Sequence, residues 1–272
     1  MNPTMLIRFS ALFLLLYTYA TVIRLLLAPI IHLPDLPGGV QGQTVVLLLF
    51  SLTHAAYLLG WRQTLTFFLL SAVISWCFEE LGVLTGVIYG NYYYTDMLGF
   101  KLGEVPIMIP LAWFMMIYPS YIIANLIAEG EVATYDRSLS MIFKLSLLGA
   151  MVMTAWDLLI DPVLSGPTYR AWVWVDGGPY YGVPAQNYVG WILTTFTVYF
   201  CYRIYEKMHA PASQGEVTTL IASMPLVAYA SVMIANSFGS TIEGLQVIGP
   251  FVMGLPLLIA LFRLLRTHRV PT

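Results

Sequence analysis

Charged residues are scarce in this sequence: they make up 10% of its 272 residues, whereas 59% are hydrophobic. A soluble domain usually carries about 25% charged residues, so the shortage excludes an ordinary soluble protein. The 12 basic and 14 acidic residues nearly balance, and the lack of a basic excess argues against a nucleic-acid partner. We therefore expect a multi-pass integral protein of the cell membrane.

Cysteine is also rare. The two cysteines, Cys77 and Cys201, lie inside apolar segments, where we expect small packing residues rather than a disulfide. No Cys/His spacing typical of a metal site is present, so the sequence predicts no metal ion. Linkers, low-complexity tracts and strong internal repeats are lacking too. This favours a single transmembrane domain over residues 1–272.

Long apolar runs dominate instead. A helix needs about 20 apolar residues to span a bilayer, and eight segments approach that length. They are approximately Leu6–Leu27, Gln43–Gly60, Thr64–Leu81, Pro106–Ile127, Ser140–Ile160, Asn187–Tyr205, Val217–Asn236 and Leu245–Leu265. The first lacks the small-residue cleavage site of a signal peptide. The predicted fold is an all-α, polytopic membrane bundle of about eight transmembrane helices.

The distribution of Lys and Arg predicts the orientation of this bundle. An even number of spans puts both termini on one side, and that side then carries nine basic residues: Arg8, Arg62, Arg137, Lys144, Arg203, Lys207, Arg263, Arg266 and Arg269. The other side carries three: Arg24, Lys101 and Arg170. We expect both termini in the cytoplasm and the two long connections, Gly82–Val105 and Asp161–Gln186, on the far side.

Two adjacent carboxylates, Glu79 and Glu80, close the third apolar segment and are followed by glycines and tyrosines as far as Thr95. An acid inside a membrane span is costly and therefore marks a candidate functional site. Glycines let the backbone approach a ligand, and tyrosines supply apolar faces with a hydroxyl group. Adjacent helical residues point about 100° apart, so we expect one of the two glutamates to be structural.

A second acid pair, Asp157 and Asp161, ends the fifth apolar segment. Residues four apart share one helical face, and Pro162 is expected to stop the helix. Four carboxyls at similar depth cannot all be ionised cheaply, so at least one should keep a proton and serve as a candidate general acid. Alternatively, Asp161 simply lies among headgroups, or Arg24 and Lys101 pair with the acids.

The connection Asp161–Gln186 is rich in tryptophan, tyrosine, proline and glycine. One interpretation is an aromatic belt that anchors helix ends in the headgroups. The other is a lid over a hydrophobic substrate. Because carboxylates followed by glycine and aromatic residues occur twice, we favour two aromatic, glycine-rich loops over a lipophilic pocket.

Four motifs occur in a fixed order: FEELGVLTGVIYGNYYYT from Phe78, VPIMIPLAW from Val105, WDLLIDPV from Trp156 and YYGVPAQNYVGW from Tyr180. In this order they resemble the membrane proteins that hydrate acyclic carotenoid ends, the bisanhydrobacterioruberin hydratases and related carotenoid 1,2-hydratases. The resemblance implies addition of water to the terminal C=C bond of a ψ-end group, without metal or redox cofactor. It implies carotenoid, water and membrane lipid as partners, and leaves room for association with other carotenoid enzymes.

The resemblance carries over five polar residues: Glu79, Glu80, Asp157, Asp161 and Asn187. Such a hydration needs an acid to protonate one carbon and a base to deprotonate the attacking water. We assign the acid to one glutamate and the base to one aspartate, or the reverse, with the asparagine holding the water. Aromatic faces stabilise the intermediate cation by about 2 kcal/mol each when desolvated. The expected substrate-binding aromatic residues are Tyr89, Tyr93, Trp113, Trp172, Trp174 and Trp191.

Two other functions remain open. A carotenoid cyclase or a prenyl-transferring elongase passes through a similar cation. The elongase needs Mg²⁺–diphosphate motifs and basic clamps; Asp157 and Asp161 have such a spacing, but only Lys101 and Arg170 are nearby. A proton-coupled lipid transporter uses buried acids as relays and predicts inverted repeats, and the sequence shows none that is convincing.

Overall fold

The computed structural model describes residues 2–133, 137–210 and 212–267. Eight long helices fill these ranges: α1 (Pro3–Leu27), α2 (Gly39–Leu59), α3 (Trp61–Thr85), α4 (Met108–Glu129), α5 (Leu139–Ser165), α6 (Ala185–Met208), α7 (Thr219–Phe238) and α8 (Leu245–Thr267). Each coincides with one predicted apolar segment, so the all-α membrane bundle is confirmed. Seven of the described helices are long and apolar enough to cross a membrane, and α6 is more polar. Arg269, counted in the predicted orientation, lies outside the described residues.

The prediction that Pro162 stops α5 was wrong, because the helix continues to Ser165. A proline inside a helix removes the hydrogen bond to the carbonyl four residues earlier. In α5 that carbonyl belongs to Leu158, and it accepts a hydrogen bond from the Tyr180 hydroxyl at 2.9 Å. The helix is retained because the freed carbonyl finds a new donor.

Helices α3, α4, α5 and α6 form a closed ring, in which each packs against the next and α6 returns to α3. Beyond this ring, α4 also packs against α2, α7 and α8, while α1 lies over α2 and α7. The core is therefore centred on α4, whose middle is fully buried from Phe114 to Leu126 apart from a slightly exposed Met115.

Four short strands lie in the connections: β1 (Tyr92–Tyr94), β2 (Lys101–Leu102), β3 (Val105–Pro106) and β4 (Trp172–Trp174). Strands β2 and β3 form a hairpin, and β1 pairs antiparallel with β4. The β1–β4 pair joins the connection after α3 to the connection after α5. Both connections therefore meet at one end of the bundle, which we call the strand end.

Cys77 and Cys201 are free and exposed on the surface of their helices. They do not form a disulfide with each other, but the expectation that they are packing residues was wrong. Apolar sequence on both sides of a cysteine does not show which face of a membrane helix is buried, because the lipid-facing side is apolar too.

Candidate active site at the strand end

A pocket with a volume of about 370 Å³ opens at the strand end. Its mouth is lined by two exposed turns, at Pro167–Tyr169 and Gly239–Thr241. Farther in, the wall includes the buried residues Glu79, Asp161 and Asn187. Among the described residues that line it, none is Lys or Arg. The pocket is therefore an apolar chamber with two acids and one amide at its buried part.

Glu79 is supplied by α3 and is 4% exposed. Its Oε2 accepts hydrogen bonds from the hydroxyls of Tyr92 (2.6 Å) and Tyr94 (2.8 Å), and its Oε1 accepts one from the Trp113 indole N–H (3.2 Å). Successive side chains of a strand point to opposite faces, which is why the first and third tyrosines of β1 reach the same carboxylate. Three donors stabilise a negative charge on this group.

Asp161 is supplied by α5 and is 1% exposed. Its Oδ1 accepts hydrogen bonds from the indole N–H groups of Trp172 (2.9 Å) and Trp174 (3.0 Å). Its Oδ2 accepts one from Asn187 Nδ2 at 2.8 Å. This burial decides against the alternative in which Asp161 lies among lipid headgroups.

The surroundings of Glu79 and Asp161 are a structural repeat. In both, a helix ends in a turn and a three-residue strand, and two aromatic donors from that strand bind the carboxylate of the helix before it. The donors follow Glu79 by 13 and 15 residues and Asp161 by 11 and 13. This difference in spacing hides the repeat in the sequence. Because β1 and β4 pair antiparallel, the two units lie side by side, and both acids line the same pocket.

Asp157 lies one helical turn before Asp161, is fully buried and is not among the residues that line the pocket. Its Oδ2 accepts a hydrogen bond from the same Asn187 nitrogen at 2.7 Å, and its Oδ1 has no partner among the described residues. The amide thus bridges two carboxylates that no described cation neutralises. Two like charges at such a short separation are costly to ionise together, so the geometry disfavours two carboxylates here.

The hydroxyl groups around Glu79 stay protonated. Burial raises the pKa of Tyr92 and of Tyr94 well above the usual value for tyrosine, and the nearby charge of Glu79 raises it further. Both phenols therefore act as hydrogen-bond donors throughout the physiological pH range, and neither is a source of phenolate.

Tyr89 is clamped between two helices. A Cβ atom at Gly82 of α3 or at Gly190 of α6 would overlap its ring, and its hydroxyl is 2.7 Å from the Thr194 hydroxyl. Its ring also packs edge-on against Tyr92, with 6.1 Å between centroids. The clamp therefore helps to place a tyrosine that binds Glu79.

The family model described as "Carotenoid biosynthesis protein" matches residues 41–262. The chain belongs to the carotenoid biosynthesis protein family. Bisanhydrobacterioruberin hydratase from Haloarcula japonica is 32% identical over 121 residues, which are 44% of this chain and 38% of that protein. The chain thus matches well under half the length of this curated relative. No solved structure shows a significant match.

Two of the expected site residues of this carotenoid biosynthesis protein lie away from the pocket. The carboxylate of Glu80 accepts the backbone N–H of Glu104 at 2.9 Å and so anchors the β2–β3 hairpin. Tyr93, the middle residue of β1, is 49% exposed. The structure brings the other expected residues together, apart from Asp157, which lies directly behind the wall.

The two basic residues considered as partners of the acids bind elsewhere. Arg24 forms an ion pair with Asp35. Lys101 donates a hydrogen bond to the backbone carbonyl of Tyr94 at 2.7 Å. Within residues 2–133, 137–210 and 212–267, no three His, Cys, Asp or Glu side chains form a group that could hold a metal ion.

Sequence reasoning missed three residues of the pocket. Trp156 lines it and packs edge-on against Trp191 at 5.8 Å, while Trp191 stacks on Trp113 at 4.2 Å. Tyr92 and Tyr94 bind Glu79, although the sequence singled out Tyr89 and Tyr93. Alternate residues of a strand share one face, and this pattern could have grouped Tyr92 with Tyr94. The pattern does not show whether that face or the face of Tyr93 points into the bundle.

A second buried polar cluster lies at the opposite end of the bundle. Glu206 accepts hydrogen bonds from Arg137 (2.9 Å) and Tyr121, and the Arg203 guanidinium lies 4.4 Å from the centre of the Tyr121 ring. None of these residues lines the pocket. This cluster contains both basic and acidic side chains, whereas the described charged side chains of the strand-end site are all acidic. The cluster can therefore link α4 and α6 through opposite charges.

Proposed function

We propose that the protein adds water to the terminal C=C bond of an acyclic, ψ-end carotenoid and forms a tertiary alcohol. The observation that carries this proposal is the pair of buried carboxylates, Glu79 and Asp161, held by adjacent repeat units in one aromatic chamber. The family and the name of the Haloarcula relative support the substrate class. The chamber supplies the acid, the base and the apolar surroundings that the reaction needs.

Asp161 is the general acid in this proposal. It lines the pocket, and it shares the amide of Asn187 with Asp157, so the aspartate pair retains one proton. Transfer of that proton to one alkene carbon forms a C–H bond and leaves a tertiary cation on the other carbon. Asp157 has no access to the pocket and acts as a positioning residue, because it keeps the pair protonated.

Glu79 is the general base. Glu79 and Asp161 each accept three hydrogen bonds, but among the described residues no second carboxylate shares the donors of Glu79. Glu79 is therefore the acid that ionises, and its carboxylate accepts a proton from the water that attacks the cation. The Asn187 nitrogen donates its hydrogen bonds to Asp157 and Asp161. Its amide oxygen can therefore accept a hydrogen bond from that water. The oxygen of water bonds to the tertiary carbon, and its proton goes to Glu79. Glu79 then releases this proton, which returns to Asp161 through water in the pocket, so that both acids are reset before the next turnover.

The aromatic wall stabilises the cation between these two steps. Trp113, Trp172, Trp174 and Trp191 all line the pocket. A cation over an aromatic face gains about 2 kcal/mol when water is excluded. Trp172 and Trp174 thus have two roles. Their N–H groups orient Asp161, and their rings face the reacting end of the carotenoid.

Mass spectrometry of pigments tests the proposal directly. Cells that make an acyclic carotenoid are compared with and without this protein, and the expected product is heavier by one water for each reacted end. An unchanged mass with altered absorption would instead indicate cyclisation, and added five-carbon units would indicate elongation. The Asp161→Asn variant, made at equal protein level, should give little hydrated product. If that variant retained parental activity, the acid assignment would be wrong.

A further inference from the structure

The pocket is too short for a whole acyclic carotenoid. Its lining residues in α5 run from Trp156 to Leu164, which is about 12 Å at a rise of about 1.5 Å per residue. A polyene that crosses the hydrocarbon core extends over about 30 Å. Only one end of the chain can lie beside the acids, so the rest needs a path out of the bundle.

Helices α2 and α7 leave such a path between them. Their halves far from the strand end are joined, because His54 Nε2 of α2 lies 2.9 Å from the carbonyl oxygen of Ile221 in α7. Over their described lengths the two helices otherwise make little contact. Toward the strand end, the pocket lies between them and is lined by Thr44 of α2 and by Val232 and Ala235 of α7. At this end the space between the two helices, which we call the cleft, is therefore part of the same pocket as the acids.

Helix α1 covers this cleft. Tyr17 is buried against the pocket, whereas Leu15 and Leu26 are 67% and 63% exposed on the outer surface. Directly after Tyr17 the helix has a π-helical turn, Tyr19–Ile23, and such turns occur often at functional sites. In this part of α1, the Thr18 hydroxyl oxygen lies 3.2 Å from the hydroxyl oxygen of Ser231 in α7. A single helix, α1, therefore separates the cleft from the bilayer.

We propose that the polyene chain of the substrate lies in the cleft between α2 and α7, and that it enters from the bilayer when the strand-end half of α1 moves outward. The occupant follows from the continuity of the cleft with the chamber that holds the reacting end. The identity of this occupant as a carotenoid rests on the proposed function. The location of the path rests on the packing of α1, α2 and α7.

Disulfide cross-linking tests this path. In a Cys77→Ser/Cys201→Ser background, the Thr18→Cys/Ser231→Cys pair locks the strand-end half of α1 onto α7, because the native hydroxyl oxygens are 3.2 Å apart. The matched control is the Ser10→Cys/Thr53→Cys pair, at 3.0 Å between hydroxyls, which ties the other half of α1 to α2. Formation of each cross-link is measured by thiol labelling before and after reduction.

The main measurement is binding of lycopene, an acyclic carotenoid with ψ ends, from phosphatidylcholine vesicles to the purified protein. Oxidation of the Thr18→Cys/Ser231→Cys protein before mixing should lower bound pigment at least tenfold, and reduction should restore it. Oxidation after loading should trap the pigment through washing. The Ser10→Cys/Thr53→Cys protein should bind equally well in both states. Equal binding by the cross-linked and reduced Thr18→Cys/Ser231→Cys protein would overturn the proposal.

A second variant tests the cleft without a disulfide. Ala235→Trp fills the cleft and should abolish lycopene binding, whereas Val227→Trp adds the same ring on the exposed side of α7 and should leave binding intact. Binding by Ala235→Trp at the parental level would contradict the cleft. Product mass is recorded separately in the reduced proteins. If the protein bound pigment through the cleft but did not hydrate it, the proposed function would be wrong and the cleft would stand. If the protein hydrated pigment and the Thr18→Cys/Ser231→Cys disulfide had no effect, the cleft would be wrong and the proposed function would stand.

Discussion

Glu79 and Glu80 are neighbours in the chain but have unrelated environments. A helix turns about 100° per residue, so Glu79 points into the ring of helices and Glu80 points toward the β2–β3 hairpin. The first carboxylate accepts three side-chain donors, and the second accepts the backbone N–H of Glu104. One acid is thus available for chemistry, and the other holds a loop.

This difference gives a matched pair of variants. Glu79→Gln should lower the rate of hydration by about 100- to 10,000-fold, the usual effect of removing a general base. Glu80→Gln should keep nearly all activity, because an amide oxygen can still accept the Glu104 N–H. Hydrated product is measured per amount of protein in isolated membranes. Equal losses in the two variants would contradict the assignment.

The three tyrosines of β1 provide a second test at this scale. Tyr92→Phe and Tyr94→Phe each remove a donor to Glu79 and should lower activity, since hydrogen bonds to a charged group are worth about 1.5–3 kcal/mol. Tyr93→Phe removes an exposed hydroxyl and should have no effect. Rates at saturating substrate separate a change at the base from a change in binding. If Tyr93→Phe were the most damaging variant, the strand would face the other way.

At the scale of elements, three prolines inside helices α4, α5 and α7 each free a backbone carbonyl, and each of these three carbonyls is bound by a side chain from elsewhere in the bundle. The carbonyl freed by Pro162 binds Tyr180, the one freed by Pro119 binds Ser51, and the one freed by Pro225 binds His54. The carbonyls freed by these prolines therefore form contacts of α2 with α4 and with α7, and a contact of α5 with the loop that follows it.

Removal of such a donor should destabilise the protein. Ser51→Ala should lower the free energy of unfolding by about 1 kcal/mol, the net contribution of one buried hydrogen bond. Ser223→Ala is the control, because that hydroxyl is exposed and bonds a carbonyl of its own helix. Thermal unfolding of both variants in detergent checks the difference. Identical midpoints would show that the carbonyl does not need the serine.

The clamp on Tyr89 predicts a steric effect between α3 and α6. Gly82→Ala and Gly190→Ala each place a methyl group in the space of the tyrosine ring, so the ring must shift and disturb Tyr92. Both variants should lose hydration activity, while Tyr89→Phe, which keeps the ring, should retain more of it. Expression level and thermal midpoint serve as controls for folding. Full activity in either alanine variant would show that the clamp is not needed.

At the scale of the whole molecule, the strand end and the opposite end differ in charge. The nine-to-three distribution of Lys and Arg predicts that the strand end, and with it the acid chamber, lies on the non-cytoplasmic side. Under the proposed function, a single chamber near one surface accepts one end of a bilayer-spanning carotenoid at a time. A second end would then react only after release and rebinding in the reverse direction.

Cysteine labelling checks this orientation. In a cysteine-free background, Tyr93→Cys at the strand end should react with a membrane-impermeant maleimide in intact cells. Glu216→Cys, exposed at the opposite end, should react only after the cells are opened. Reversed accessibility would place the termini outside. Reaction of both sites in intact, sealed cells would indicate mixed orientation.

The number of helices was predictable because a bilayer imposes length and hydropathy on each span. Even so, α3 and α5 run to Thr85 and Ser165, beyond their predicted ends. Spans were identified from apolar residues, and the last turns of these helices lie among the polar residues and glycines of the site. A helix that is stabilised by neighbouring elements does not need an apolar sequence to continue.

The sequence by itself determined the membrane bundle, the end of the bundle at which the acids gather, and the candidates Glu79, Asp157, Asp161 and Asn187. It did so because acids are rare in lipid and because helical spacing relates residues within one element. Only the tertiary structure decided which glutamate faces inward, which tyrosines bind it, and that one amide bridges two aspartates. Those choices depend on the pairing of β1 with β4 and on the packing of α3 against α6. Such contacts join residues far apart in the chain, and no local periodicity encodes them.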